Sequence, residues 1–149
     1  MTTKNEMEAV LNDVHVTVLA GADYARDSIQ HAQDPRLKEV LRALEARRAA
    51  QASAVEGHIR QVGLPQMPDP ERQLIGRSLT HLKSAFVQNG DVALVEAQQK
   101  SDSEIVEACT KALDVDLPEE LHRLLGAIVD DVIEHKPELA RLDAAFRKE

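Results

Sequence analysis

Six polar residues fall on, or in the case of Asp131 directly beside, the positions where the apolar repeat of this chain places side chains on the inner face of a helix. They are Arg48, Gln51, Gln98, Asp102, Asp131 and His135. When the helices are folded back on one another at about 1.5 Å per residue, Arg48, Asp102 and the pair Asp130–Asp131 reach similar heights. A buried polar group is costly unless it finds a partner. We therefore expect these side chains to bond to one another or to hold a ligand.

Metal binding is one chemistry that such residues support. Carboxylates and imidazoles inside a helical bundle bind iron or manganese, and the candidate ligands are Glu45, Asp102, Asp131 and His135. A di-iron carboxylate centre takes a Glu from each of two helices and a Glu-x-x-His motif from each of the other two. None of the inner faces carries that motif, because Arg48 stands three residues after Glu45 and its permanent positive charge opposes a metal ion. Asp131 and His135 share a helix face at i, i+4 and supply two ligands.

An internal ion pair is the other chemistry. Arg48 with Asp102 or Asp131 would form a buried, hydrogen-bonded pair that fixes the register of the helices without reacting. We favour this interpretation, in which His135 is an ordinary core or boundary histidine. Cys109 lies on an apolar face with no basic neighbour in sequence, which indicates core packing and not a nucleophile. The remaining histidines outside the inner faces are interpreted as surface residues: His15, His31, His81 and His122.

The elements that position these residues are five predicted helices, separated by capping residues, prolines and the turn at residues 89–91. Their expected bounds are about 4–32, 35–62, 70–88, 91–114 and 117–147. Apolar residues recur on each helix at steps of three and four, as in helices packed at about 20° in a bundle. On the second helix this repeat includes Gln51, His58 and Val62. Aromatic residues are only 2% of the chain, so aliphatic side chains must fill the core.

The lengths of the connections predict the arrangement of the helices. Links of a few residues make the first and second predicted helices antiparallel, and likewise the fourth and fifth. About 27 residues, including the short helix at 70–88, separate the second helix from the fourth, and these two would run parallel across a long crossover. The chain is thus predicted to be a single all-α domain over residues 1–149, a four-helix bundle with an additional short helix in the crossover.

Several stretches resemble a bacterial ferritin-like family of uncharacterised function. The resemblance lies in residues 34–38 (DPRLK), 76–86 (GRSLTHLKSAF), 89–91 (NGD) and 117–118 (LP), and the family's length covers almost the whole chain. It implies a ferritin-like four-helix bundle with the long crossover, and it implies little about activity, since a fold does not determine a function. Family members tend to carry acids near the positions of Gln30 and Asp102, where this chain has an amide and the shorter acid.

Composition restricts the partners and the location. The net charge is −8, which disfavours binding to nucleic acid and to anionic membranes. No apolar stretch approaches about 18 residues, the first residues lack the apolar run of a signal peptide, and the single cysteine cannot form an internal disulfide. We therefore expect a cytoplasmic protein that binds neither nucleic acid nor membranes.

Three functions are compatible with these features. The favoured one is a non-catalytic binding or structural protein without a complete di-iron site, which self-associates as a homo-oligomer, most simply a dimer, through an apolar helix face such as that of the short helix. The second is a redox or metal-storage protein that uses iron or manganese at Glu45, Asp102, Asp131 and His135. The third is a stress-related module that recognises an unknown protein partner by helix-in-groove contacts.

Overall fold

This computed structural model describes residues 3–64 and 90–148. The described residues form four α-helices. Helix α1 spans Lys4–His31, α2 Pro35–Gln61, α3 Asp91–Leu113 and α4 Glu119–Lys148. No strand occurs within these ranges, so the prediction of an all-α, four-helix architecture is confirmed. The short helix predicted at 70–88 lies outside the described residues.

Side-chain caps and one unexpected carboxylate define the helix ends. The Thr3 hydroxyl accepts a hydrogen bond from the Glu6 amide at 3.1 Å at the start of α1. The Asp34 carboxylate accepts one from the Arg36 amide at 2.8 Å at the start of α2. Asp91, the first residue of α3, accepts hydrogen bonds from the backbone amides of Gln33 and Asp34 at 3.0 and 2.9 Å. The start of α3 is therefore tied to the link between α1 and α2.

Each helix packs against two of the others. Helix α1 contacts α2 and α3, and α4 contacts α3 and, less extensively, α2. Asp91 at the start of α3 bonds to Asp34 just before α2. Farther along both helices, Asp102 of α3 pairs with Arg48 of α2. These two helices therefore run parallel on diagonally opposite corners, and their N-termini share one end of the bundle.

The aliphatic core consists of two clusters separated by a polar layer. One cluster includes Leu11, Val55, Ile105, Leu121 and Leu125. The other cluster, toward the N-terminal ends of α2 and α3, includes Ala25, Leu37, Leu41, Leu94 and Leu139. On α2 the boundary falls at Arg48, between Leu44 and Ala52, and on α3 at Gln98 and Asp102. No helix in the described ranges is both long enough and apolar enough to span a membrane.

Two predictions about burial are wrong. After Arg48 the inner face of α2 continues through Ala52 and Ile59, whereas Gln51, His58 and Val62 are only partly buried. Successive residues of a helix are about 100° apart, so Gln51 lies about 60° to one side of Arg48 and Ala52 about 40° to the other, and a repeat of threes and fours fits both. His15, interpreted as a surface residue, is only 4% exposed and lies 3.9 Å from the Glu56 carboxylate.

Candidate functional site

Arg48 is the centre of the polar layer. Its side chain is completely buried, at 0% exposure, and it reaches from α2 toward both α3 and α4. One terminal nitrogen, Nη1, donates to Oδ2 of Asp131 at 2.8 Å. The other, Nη2, donates to Oδ1 of Asp102 at 3.3 Å. A single guanidinium thus connects carboxylates on two different helices.

Gln51 completes a closed ring of hydrogen bonds with Arg48 and Asp131. Its side-chain oxygen accepts from Nη1 of Arg48 at 2.9 Å, and its Nε2 donates to Oδ2 of Asp131 at 3.0 Å. Oδ2 of Asp131 therefore receives two donors from one turn of α2, since Arg48 and Gln51 lie three residues apart on the same face. Arg47 adds a second positive charge, with its Nε 3.7 Å from the same oxygen.

His135 bounds the layer on the solvent side. Its Nδ1 lies 3.1 Å from Oδ1 of Asp131 and 2.9 Å from the backbone oxygen of the same residue. Both atoms are acceptors, so Nδ1 carries a proton and donates it. The side chain is 28% exposed, and Nε2 lies 4.0 Å from a Glu138 oxygen. His135 therefore orients Asp131 from the edge of the network.

The two carboxyl groups respond differently to this environment. Burial raises the pKa of Asp102 above its ordinary value of 3.8, and the charge of Arg48 offsets only part of that effect. Burial also acts to raise the pKa of Asp131, but the hydrogen bonds from Arg48 and Gln51 outweigh it, and the pKa falls below 3.8. The shorter bond and the larger number of donors make Asp131 the principal partner of Arg48.

Gln98 and Glu45 are not members of the ring. Gln98 is buried, but its Nε2 points to the backbone oxygen of Gly21 on α1 at 3.4 Å. Its Oε1 has no hydrogen-bond partner, and neither does Nε of Arg48. Glu45 is only partly buried, one turn before Arg48. Of the predicted site residues, the structure joins Arg48 with four others, listed here: Gln51, Asp102, Asp131 and His135.

This donor set does not fit a metal centre. Within residues 3–64 and 90–148, no three His, Cys, Asp or Glu side chains are placed to hold one ion. The Arg48 guanidinium lies between Asp102 and Asp131, where a bridging cation would have to bind, and it remains charged at any physiological pH.

Sequence reasoning overlooked one Glu-x-x-His spacing, from Glu119 to His122. Both residues lie in the first turns of α4 and are exposed, and the Glu119 carboxylate bonds to Arg123 at 2.6 Å. The spacing therefore lies at the N-terminal end of α4, away from the polar layer, which α4 meets near its middle at Asp131. The Cys109 thiol offers no nucleophile, because burial raises its pKa to about 12.

A groove between α3 and α4 opens beside the network. Its volume is about 260 Å³, and its walls include Asp102, Val106, Val132, Ile133, Lys136 and Leu139. Of the residues that the structure joins with Arg48, Asp102 alone also lines the groove. The sequence pattern did not indicate this groove, since the residues belong to no single apolar repeat.

No model of a known protein family matches this sequence, and no curated protein is similar to it. The functional argument therefore rests on the residues and geometry described above.

Proposed function

We propose that this chain is a ferritin-like helical bundle that acts as a non-catalytic binding or structural protein, with an arginine-centred network where related bundles hold a di-iron centre. The observation that carries the proposal is the position of Arg48. Its guanidinium is fully buried and pairs with carboxylates from two other helices. A fixed positive charge there supplies what a metal would otherwise supply, namely neutralisation of buried acids.

The arrangement of the helices supports the ferritin-like part of the proposal. Helices α2 and α3 run parallel on opposite corners, and 29 residues separate Gln61 from Asp91. A bundle with one long crossover between its two middle helices is the ferritin-like topology. The resemblance of residues 34–38 and 89–91 to that family falls on the two segments that Asp91 ties together.

The chemistry of the layer supports a non-catalytic role. Asp131 accepts hydrogen bonds from Arg48 and Gln51, so its oxygens are engaged rather than available to a substrate. A buried ion pair of this kind adds little net stability over apolar packing, but removing one partner is strongly destabilising. Such a pair fixes which helices lie together and in which register, and that is a structural task.

Metal analysis tests the proposal. The purified, untagged protein is mixed anaerobically with Fe²⁺ or Mn²⁺, desalted and analysed by mass spectrometry for retained metal. We expect no stoichiometric retention, and the same result for Asp102→Ala and His135→Ala. About two ions per chain in the natural protein, lost in those two variants, would instead identify the redox or storage protein.

A matched pair of variants tests the structural role of Arg48 separately. Arg48→Ala is compared with Arg42→Ala, which removes an exposed arginine from the same helix. We expect only Arg48→Ala to lower the free energy of unfolding. Equal, small effects of both variants would mean that the network has no structural task, and the third hypothesis, a partner-binding module, would then be preferred.

A further inference from the structure

The outer face of α4 carries the one large hydrophobic side chain that is exposed within residues 3–64 and 90–148. Ile133 is 58% exposed, although it lies in the middle of a helix whose inner face is fully packed. A solitary exposed apolar side chain is ordinary on a protein surface, whereas a contiguous apolar patch marks an interaction site. Ile133 is not solitary, because it lines the groove between α3 and α4 together with Val106, Val132 and Leu139.

The groove is a suitable receptor for an aliphatic side chain. Its inner walls are Val106 on α3 and Val132 and Leu139 on α4, and its volume of about 260 Å³ exceeds that of one such side chain. A projecting isoleucine and a receptive groove thus lie side by side on one surface. When two copies pair about a two-fold axis, both use the same surface. Ile133 of each copy then contacts the groove of the other copy.

Small residues flank Ile133 at the spacing that a second helix needs. Gly126 and Ala140 lie seven residues before and after it, on the same face of α4. A Cβ added at Gly126 would meet nothing within 4 Å, and Ala140 is exposed. A helix can therefore approach α4 closely along this line.

Charge complementarity indicates what that helix is. Asp130 and Lys136 are exposed and lie three residues to either side of Ile133. Within the described part of the chain neither forms an ion pair. If a second α4 crosses antiparallel at Ile133, Asp130 of each copy comes to the height of Lys136 of the other, within reach of the long lysine side chain. The face is therefore complementary to itself.

We propose that a second copy of this chain docks on the outer face of α4, antiparallel and centred on Ile133. This inference rests on the self-association predicted from the sequence together with the favoured, non-catalytic function, and it assigns the surface. The contact area of one helix face and a groove is at the lower end for specific interfaces. The dimer is therefore a weak one, and its dissociation is measurable by sedimentation velocity over micromolar concentrations.

One pair of variants tests the apolar part of the interface. Ile133→Asp buries a charge in the centre of the contact, whereas Ala127→Asp places the same charge on an exposed position of α4 that points away from it. We expect self-association at least about tenfold weaker for Ile133→Asp and unchanged for Ala127→Asp. Circular dichroism checks that both variants remain helical.

A charge-reversal experiment tests the orientation. In Asp130→Lys each self-contact becomes lysine against lysine, and in Lys136→Asp it becomes aspartate against aspartate. Each variant alone is expected to dimerise about tenfold more weakly than the natural protein. Mixed in equal amounts, the two variants have only opposite charges in contact, and native mass spectrometry is expected to show the heterodimer in excess over both homodimers.

Three outcomes would overturn the inference: a natural protein that is monomeric throughout the concentration range, a dimer insensitive to Ile133→Asp, or no heterodimer in the mixture. None of these outcomes affects the metal analysis, which tests the proposed function independently. Conversely, retained metal that depends on Asp102 would overturn the proposed function without changing the prediction for Ile133.

Discussion

The cluster around Leu125 and the layer around Arg48 lie one above the other along the same helices, but they are held together differently. Around Leu125 the contacts are aliphatic and non-directional, and many packings of similar volume would be nearly as stable. Around Arg48 every contact has a donor, an acceptor and a required geometry. We expect the aliphatic regions to supply most of the stability and the polar layer to select one arrangement of the helices.

The largest effect is expected where the polar layer loses its cation. Arg48→Ala leaves Asp102 buried without its hydrogen-bond partner and removes the shortest hydrogen bond of Asp131, and it should lower the free energy of unfolding by about 3–5 kcal/mol. Leu125→Ala, in the aliphatic cluster, should cost about 2–5 kcal/mol through lost burial and the resulting cavity. Urea denaturation monitored by circular dichroism measures both.

The comparison becomes sharper when the whole network is replaced. The triple variant Arg48→Met, Asp102→Leu, Asp131→Leu removes all the charges together and is expected to be at least as stable as the natural protein. If the layer selects the arrangement, the triple variant should show broadened NMR signals from side chains of α4. A triple variant as unstable as Arg48→Ala would mean that the layer is a source of net stability.

The next largest loss of stability is expected at Asp91, whose hydrogen bonds lie outside the polar layer, at the end of the bundle. Asp91→Ala removes two hydrogen bonds to the link between α1 and α2 and should lower the free energy of unfolding by about 2 kcal/mol. Asp114→Ala, at an exposed position at the other end of α3, is the control and should change it by less than about 0.5 kcal/mol. Equal losses would show that the tie contributes nothing specific.

The two acids of the layer should respond to pH with opposite signs. Because the folded-state pKa of Asp131 is lowered, its contribution is present above its ordinary pKa and is lost as the pH falls through the lowered value. The folded-state pKa of Asp102 is raised, so stability from this group declines as the pH rises through the raised value. The two effects are separated by replacing each acid with its amide.

Urea denaturation near pH 6 and near pH 3 measures this difference. On acidification Asp131→Asn should lose less stability than the natural protein, and Asp102→Asn should lose more. Parallel losses in all three proteins would contradict the assigned directions.

The smallest effect distinguishes two glycines, one at the layer and one outside it. At Gly57 an added Cβ meets nothing within 4 Å, so Gly57→Ala should raise the free energy of unfolding by about 0.5–1 kcal/mol. At Gly21 the same atom would lie 3.1 Å from Cδ1 of Ile105 and 3.2 Å from Oγ of Ser101. Gly21→Ala should therefore lack this gain. If both variants gain the same stability, the side chains around Gly21 move aside for the added Cβ without cost.

Sequence reasoning predicted the four described helices well, because their ends are determined locally. Asp34 and Pro35 define the start of α2 without help from the rest of the chain. It also placed Arg48 at the height of Asp102 and Asp131, since axial rise is uniform along a helix. These predictions needed only properties of single helices.

The buried side chains and their partners could not be predicted in the same way, because they depend on how each helix is rotated about its axis relative to its neighbours. A repeat of threes and fours fits both Gln51 and Ala52, and only packing shows that Ala52 is the buried one. Gln98 is buried in the polar layer, but it bonds to Gly21 on α1 and not to Arg48, and the repeat does not specify that partner. The groove beside Ile133 was not predictable, because its walls come from two helices whose relative rotation no local pattern specifies.

The complete burial of Arg48 also bears on how the molecule opens. A guanidinium stays charged at every pH at which the protein folds, so it cannot remain in a dry layer after its carboxylates leave. When α4 separates from α2, Arg48 loses Asp131 and keeps only the longer bond to Asp102, so water must enter the centre of the bundle to solvate the free part of the guanidinium. Partial openings that keep the middle dry are therefore excluded. Amide hydrogens of α2 and α4 near this level should exchange with solvent only when the two helices separate completely, and at one common rate.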